Sequence, residues 1–471
     1  MQCAKDGFRW LTYSVLRRLA FVSLAVMGLS IAGTAATQII RSSEKPVDPA
    51  AVYMQPIKGL SHSQLQKFQT GEKQFKNPWV VFPLLGGDWG LGPTFLASSC
   101  IACHTQGGRG RTNDKSDAVV FQQLLRLSVP GEGPDGAPNP HPNYGDQLQV
   151  FGVNVGLKDN LKPGEADLYI DWIAEPVTLS DGEKVELRKP KIRIEKPNFG
   201  AIDETIMTSL RNTQVVFGMG YLEAVTEEDI LALAKLQQSQ GLNGRPNYVR
   251  DDINKRVALG RFGWKANQPS VRQQIVAAFH GDMGVTSSLY IEENCPPIQK
   301  ECRAMPPGNR PELLDYAWDH LNFWQVALDA PPPRNQESES VKRGEKLFNH
   351  SRCAQCHVPE LKTGEYPVLP ALAKRTFHPY TDLLLHDMGP GLADGRPDFK
   401  AGPRDWRTAP LWGIGVSEQV NGSPHLLHDG RARNVLEAIL WHGGEAKASR
   451  DIFAGLSKAE RDDLIAFVNS L

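Results

Sequence analysis

Residues 351–359 read SRCAQCHVP, and within them Cys353, Cys356 and His357 stand at the C-x-x-C-H spacing that attaches a c-type haem. Each member has its own chemistry, since the two thiols add to the vinyl groups of the porphyrin and the adjoining imidazole takes one axial face of the iron. A C-x-x-C pair without the histidine would read as a zinc knuckle or a redox dithiol. The signature occurs a second time, as SSCIACHT at residues 98–105, with Cys100, Cys103 and His104. Two covalently bound haem c groups are therefore expected, with His104 and His357 as their proximal iron ligands.

The remaining cysteines bear on the compartment. Of 7 in the chain, four go to haem attachment, Cys3 lies at the extreme N-terminus, and Cys295 and Cys302 are left as a pair in ENCPPIQKECR. A disulfide is the expected reading, with two free thiols as the alternative. A loop that short contributes about 2.5 kcal/mol in the chain-entropy model and persists in an oxidising compartment. The N-terminus, FRWLTYSVLRRLAFVSLAVMGLSIAGTAAT, has basic residues up to Arg18, an apolar run from Leu19 to about Ala32, and small residues at Thr34 and Ala36. Residues 1–36 are read as a secretory signal peptide, which implies a periplasmic protein. Arg17-Arg18 raises twin-arginine export, but haem is attached to an unfolded exported chain, which favours the general route. An uncleaved anchor is the alternative, although the run is short for a membrane span.

A chain of 471 residues suggests two or three domains, and 41% hydrophobic with 22% charged residues is ordinary for a globular protein. A net charge of -1 carries no nucleic-acid footprint. The 43 glycines and 34 prolines point to a loop-rich fold.

The organisation is duplicated. GEKQF at 71–75 precedes the first haem motif and GEKLF at 344–348 the second; TQVVFGMG at 213–220 and TAPLWGIG at 408–415 follow them. Each half then has a glycine-bearing turn into a helical stretch, GRFGWKANQPSVRQQIVAAFHGDMG at 260–284 and HDGRARNVLEAILWHGGEA at 428–446. Four elements in the same order indicate two repeats of one unit. The expected fold is mainly α: two cytochrome c-like helical haem domains, at 41–328 and 341–471. The proline and polar stretch DAPPPRNQESES, residues 329–340, is read as the linker. The first domain carries a large loop and β insertion at about 107–205, where EPVTLSDGEKVELRKPKIRIEK reads as strands joined by an Asp-Gly turn. At the C-terminus, Ser457 and Glu460 form a capping box, and Leu464, Phe467, Val468 and Leu471 recur at helical spacing, ready to pack on a helix beginning near Val341.

RPNYVRDDINKRVALGRFGWKANQPSVRQQIVAAFHGDMG, residues 245–284, and HPYTDLLLHDMGPGLADG, residues 378–395, resemble the di-haem c-type oxidoreductase family, whose members are often labelled peroxidases or thiol oxidoreductases. LLHDGRARNVLEAILWHGG, residues 426–444, is similar to the helix-entry motif of the related bacterial di-haem cytochrome c peroxidases. The resemblance covers most of the chain and implies residue roles. A sixth protein ligand makes a haem an electron carrier, whereas an open face binds a small oxidant. For haem 2 the position of the sixth ligand falls on His442, where the peroxidases commonly have methionine, so a lower reduction potential is implied; Met388 is the competing ligand. For haem 1 the family's distal carboxylate falls on Asp282. A carboxylate there moves a proton from the near to the far oxygen of peroxide, and burial raises its pKa to suit that transfer. Gln273 or Gln274 matches a glutamine of the same pocket. His280, two residues from Asp282, is the rival that would close this face as a ligand.

Trp264 stands where the family has an aromatic residue between its haems, with core packing as the alternative. His428, Asp429 and Arg431 are expected to fix a turn and to contact a haem propionate. His62, His141, His320 and His425 read as ordinary surface or loop residues. Calcium is a further candidate cofactor. The expected activity is reduction of hydrogen peroxide, or another small oxidant, with electrons from a cytochrome c or cupredoxin entering at haem 2 and passing to haem 1. The alternatives are a pure electron-transfer cytochrome, a thiol-oxidising enzyme, for which no further reactive cysteine pair is visible, and an oxidase of a partner protein.

Overall fold

A computed structural model describes residues 49–81, 88–153, 161–304 and 311–471. The expected signal peptide and Cys3 lie outside the described residues. The helices that position the sites are α1 (His62–Lys76), α2 (Val271–Met283), α3 (Asp315–Val326), α4 (Glu339–His350), α5 (Val435–Leu440) and α6 (Lys458–Ser470). Local chemistry starts most of them. Ser61 with Gln64 and Ser457 with Glu460 form complete capping boxes, while Ser270 and Asn434 accept from the third backbone N–H of α2 and α5. Gly284, at φ +66°, ends α2 in the left-handed region that glycine enters without strain.

The duplication is real in three dimensions. α1 packs on α3 and α4 packs on α6. Each pair crosses at the glycine of its GEK motif: a Cβ on Gly71 would stand 2.3 Å from the carbonyl oxygen of His320, and one on Gly344 would stand 2.0 Å from that of Asp463. Only glycine lets the backbones come so close. The phenylalanine four residues on reaches the histidine of the C-x-x-C-H motif in both halves, Phe75 to His104 at 6.3 Å and Phe348 to His357 at 6.4 Å between ring centres.

The expectation of a mainly α chain is corrected by the structure, which is 33% helix and 21% strand. Strand β1 (Gln123–Glu132) runs between Pro138–Asn139 and a strand that pairs from Asn212↔Gln123 to Met207↔Ser128. In the hairpin of β2 (Asp167–Thr178) and β3 (Lys184–Glu195), twelve residue pairs run from Asp167↔Glu195 to Thr178↔Lys184. The strand paired with β1 is β4 (Met207–Asn212), and further along β5 (Leu385–Asp387) pairs with β6 (Asp405–Arg407). Apart from the hairpin and β1, where Leu125, Leu127 and Val129 alternate with Arg126 and Ser128, these strands are too short to give a period-2 signal. Their identity comes from partners far away in the chain.

The insertion is not a free appendage. Leu179, Val185 and Leu187 of the hairpin join the core of the C-terminal half, with Val341, Phe348, Phe453, Leu464 and Phe467. At its tip Asp181 and Glu183 both accept from Arg461, which is buried. The largest apolar core also crosses the segment 329–340: Phe68, Phe75, Phe279 and Trp324 share it with Leu369, Phe377, Leu384 and Trp412. That segment is tied at its start, Asp329 N–H to Gln55 O, and at its middle, Arg334 N–H to Ser470 O. Residues Val47–Leu471 form one compact unit. No described helix is long and apolar enough to cross a membrane. Cys295 and Cys302 are bonded to each other.

Candidate functional site

Cys100–Cys103 forms a single helical turn ending at His104, and Cys353–Gln355 a 3-10 turn entered through Arg352 at φ +62°. None of the four cysteines is in a disulfide, and each pair lines a large cavity together with its own histidine. Both cavities open to solvent, and counting the solvent at their mouths the first spans about 1430 Å³ free of protein atoms and the second about 1390 Å³. Packed interiors leave few gaps larger than a water molecule, so spaces of this size between apolar walls fit a bound group of porphyrin dimensions. The imidazoles are prepared as ligands. His104 Nδ1 engages Gln214 O at 2.7 Å and His357 Nδ1 engages Tyr380 O at 3.0 Å, so in each ring Nε2 is left for a metal. Burial pulls both pKa values down to about 4, which keeps the rings neutral.

The second cavity holds a further imidazole at the end of α5. His442 Nδ1 engages Ala438 O at 2.7 Å, again leaving Nε2, and the His442 ring centre lies 6.5 Å from that of His357. With about 2 Å from nitrogen to metal, two imidazoles on opposite faces of one ion place their ring centres roughly 6 Å apart. Burial lowers the pKa of His442 as well. Met388 lines the same cavity, but it packs in an apolar cluster with Trp264, Leu392 and Trp406.

The first cavity is different. His104 is the only histidine on its wall among the described residues. His280 turns away, with Nε2 on Glu292 O at 3.1 Å and its ring against Tyr290. Asp282, in the last turn of α2, is on the wall, and its Oδ1 accepts from Gln147 Nε2 at 2.8 Å. Burial raises the Asp282 pKa, against the pull of Arg126 and the Gln147 hydrogen bond. Gln274 lines the cavity as well. Gln273 does not: its amide donates to Arg250 O and Gln268 Oε1 and accepts from Asp252 N–H, because neighbouring positions on a helix face different ways. Two thioethers, Met219 and Met283, share the wall.

Trp264 lines both cavities, its Nε1 donating to Asn212 O at 2.7 Å. His428 lines the second, stacked on Trp406 at 3.6 Å. Arg431 lines neither. It is committed to Asp429 at 2.6 Å and to Gly391 O. Sequence reading missed Gln147, Arg109, Arg126 and Arg407, all brought to these walls or to Asp282 by contacts distant in the chain, with no motif to announce them. For calcium, the one described grouping of acidic, imidazole or thiol side chains able to share an ion is Cys356, Asp382 and His386. Its sulfur and nitrogen do not suit calcium, which prefers oxygen.

A family model described as "Di-haem oxidoreductase, putative peroxidase" matches residues 45–471, and the chain belongs to that family. The family name implies haem cofactors, which accords with two cavities each built around a C-x-x-C-H motif. No curated protein matches the chain.

Proposed function

We propose that the chain is an exported di-haem c-type oxidoreductase that reduces hydrogen peroxide at the first cavity, using electrons taken from a cytochrome c or cupredoxin at the second. One observation carries this reading: the second cavity holds a second imidazole 6.5 Å from that of His357, whereas the first has a single imidazole and a partly buried carboxylate. Cys100 with Cys103, and Cys353 with Cys356, would tether the haems, His104 and His357 would each ligate one of them, and His442 would supply a second imidazole in the second cavity. When bound, a haem supplies an iron that exchanges single electrons and, where an axial position is open, takes a small oxidant. Asp282 would take a proton from one peroxide oxygen and return it to the other as the O–O bond breaks, the two electrons coming from the donor protein and two further protons from solvent, so that both oxygens leave as water. Gln274 donates a hydrogen bond to the oxidant, and the indole of Trp264 spans the wall between the cavities. The Cys295–Cys302 disulfide supports an oxidising, periplasmic location.

Met219 and Met283 support a second reading, an electron carrier in which a thioether closes the first cavity. Electron paramagnetic resonance and peroxide turnover decide between them. The expected protein has one low-spin and one high-spin haem in at least one redox state, and Asp282→Asn lowers turnover by about 10²- to 10⁴-fold with haem content unchanged. Two low-spin haems in every state, with no turnover, would overturn the peroxidase in favour of the carrier.

A further inference from the structure

Arg407, on β6, lines both cavities and is 6% exposed. Its backbone N–H bonds Trp264 O at 2.9 Å, its Nε donates to Gly263 O at 3.0 Å and its Nη1 to Thr408 O at 3.2 Å. No carboxylate pairs with it among the described residues. The acid that reaches it electrostatically, Asp382, is bonded instead to His386 and Gln237. Arg109, 7% exposed, is more isolated. Among the described residues its Nε is buried without a partner, and its guanidinium lies 5.9 Å over the Trp264 ring on the wall of the second cavity. The two guanidiniums also oppose each other: burial, with Arg109 adding to it, pulls Arg407 down to about 10.

Neighbouring buried cations are arranged otherwise. Arg211 has Asp398, Lys265 has Asp394 and Arg431 has Asp429, each within 2.9 Å. A guanidinium cannot shed its charge at physiological pH, and an unpaired buried charge costs several kcal/mol. Arg109 and Arg407 therefore call for an anion from outside the chain, and the groups that fit these cavities carry carboxylate arms suited to a two-pronged guanidinium.

We propose that Arg109 and Arg407 are the anchors for the carboxylate arms of the two haems, and that Arg407 serves both, so that the arms of both groups converge on the wall holding Trp264. Arg431, the arginine that the sequence motif nominates, is spent on Asp429. The shared anchor makes one side chain a determinant of both potentials, whichever reaction the haems serve.

The test is redox titration of the full chain loaded with both haems. A cation beside the haem carboxylates disfavours the oxidised, more positive iron, so its removal should lower the reduction potential. Arg407→Gln is expected to lower the reduction equilibrium constant of both irons by about tenfold, 59 mV for a one-electron step. Arg109→Gln is expected to move one of the two steps alone. A doubly loaded Arg407→Gln protein in which only one step moves, or neither, overturns the shared anchor. Should that variant not load, resonance Raman spectra of the wild-type holoprotein read the contact from the haem side. Propionate bending modes of guanidinium-bonded arms in both haems support the proposal, and free-arm positions in either overturn it.

Discussion

His442 and Asp282 are each the last functional side chain of a helix, and each is aimed by a bond to another segment or turn. His442 is oriented by Ala438 O one turn back in its own helix, a contact that its position in the motif already implied. Asp282 is held by Gln147, which comes from the insertion 135 residues away. Changing His442 to Ala should convert one low-spin haem to high spin, read by optical and paramagnetic resonance spectra. An unchanged spectrum would move the ligand to Met388. The roles of Gln273 and Gln274 illustrate what a motif cannot decide: both match the family position, but only one faces the cavity.

At the scale of elements, β5 presents His386 between Asp382 on Nε2 at 2.9 Å and Glu445 on Nδ1 at 3.0 Å, with 2% of the side chain exposed. Burial alone would lower its pKa, but the hydrogen bonds to Asp382 and Glu445 outweigh it and raise it well above the usual imidazole range. The native state therefore keeps a proton that the unfolded chain releases near its ordinary value of 6.5. This stability is fully present below that pH and falls as pH rises above it, by at most about 1.4 kcal/mol per unit. Denaturant unfolding at a series of alkaline pH values should show this decline in the wild type and a flatter profile in His386→Gln. Equal slopes would mean that the imidazole is neutral in the native state. Helix starts were legible because a cap and its N–H lie three residues apart. The strands β5 and β6 were not, because three residues carry no periodicity and the pairing partner is 20 residues away.

For the whole molecule, the largest apolar core is shared by the two halves, beside a smaller one in the C-terminal half. A fragment of residues 341–471 would expose Phe377, Leu384 and Trp412, and an exposed large apolar side chain forfeits about 1.5–3 kcal/mol. The fragment should therefore lack a cooperative transition in circular dichroism, whereas the full chain should unfold as one unit. A folded fragment with its own sharp transition would contradict this. What the amino-acid sequence determined by itself is local: the C-x-x-C-H sites with their proximal histidines, the capping boxes, the GEK glycines and the order of the repeat. In each, the interacting atoms lie within a turn or two of one another, so spacing is geometry. Tertiary structure alone decided the 6.5 Å between His357 and His442, the turning away of His280, the hold of Gln147 on Asp282, and the placing of Trp264 and Arg407 on both cavities. It also decided the balance of helix and strand. These depend on which distant segments meet, and that is set by burial summed over the whole chain.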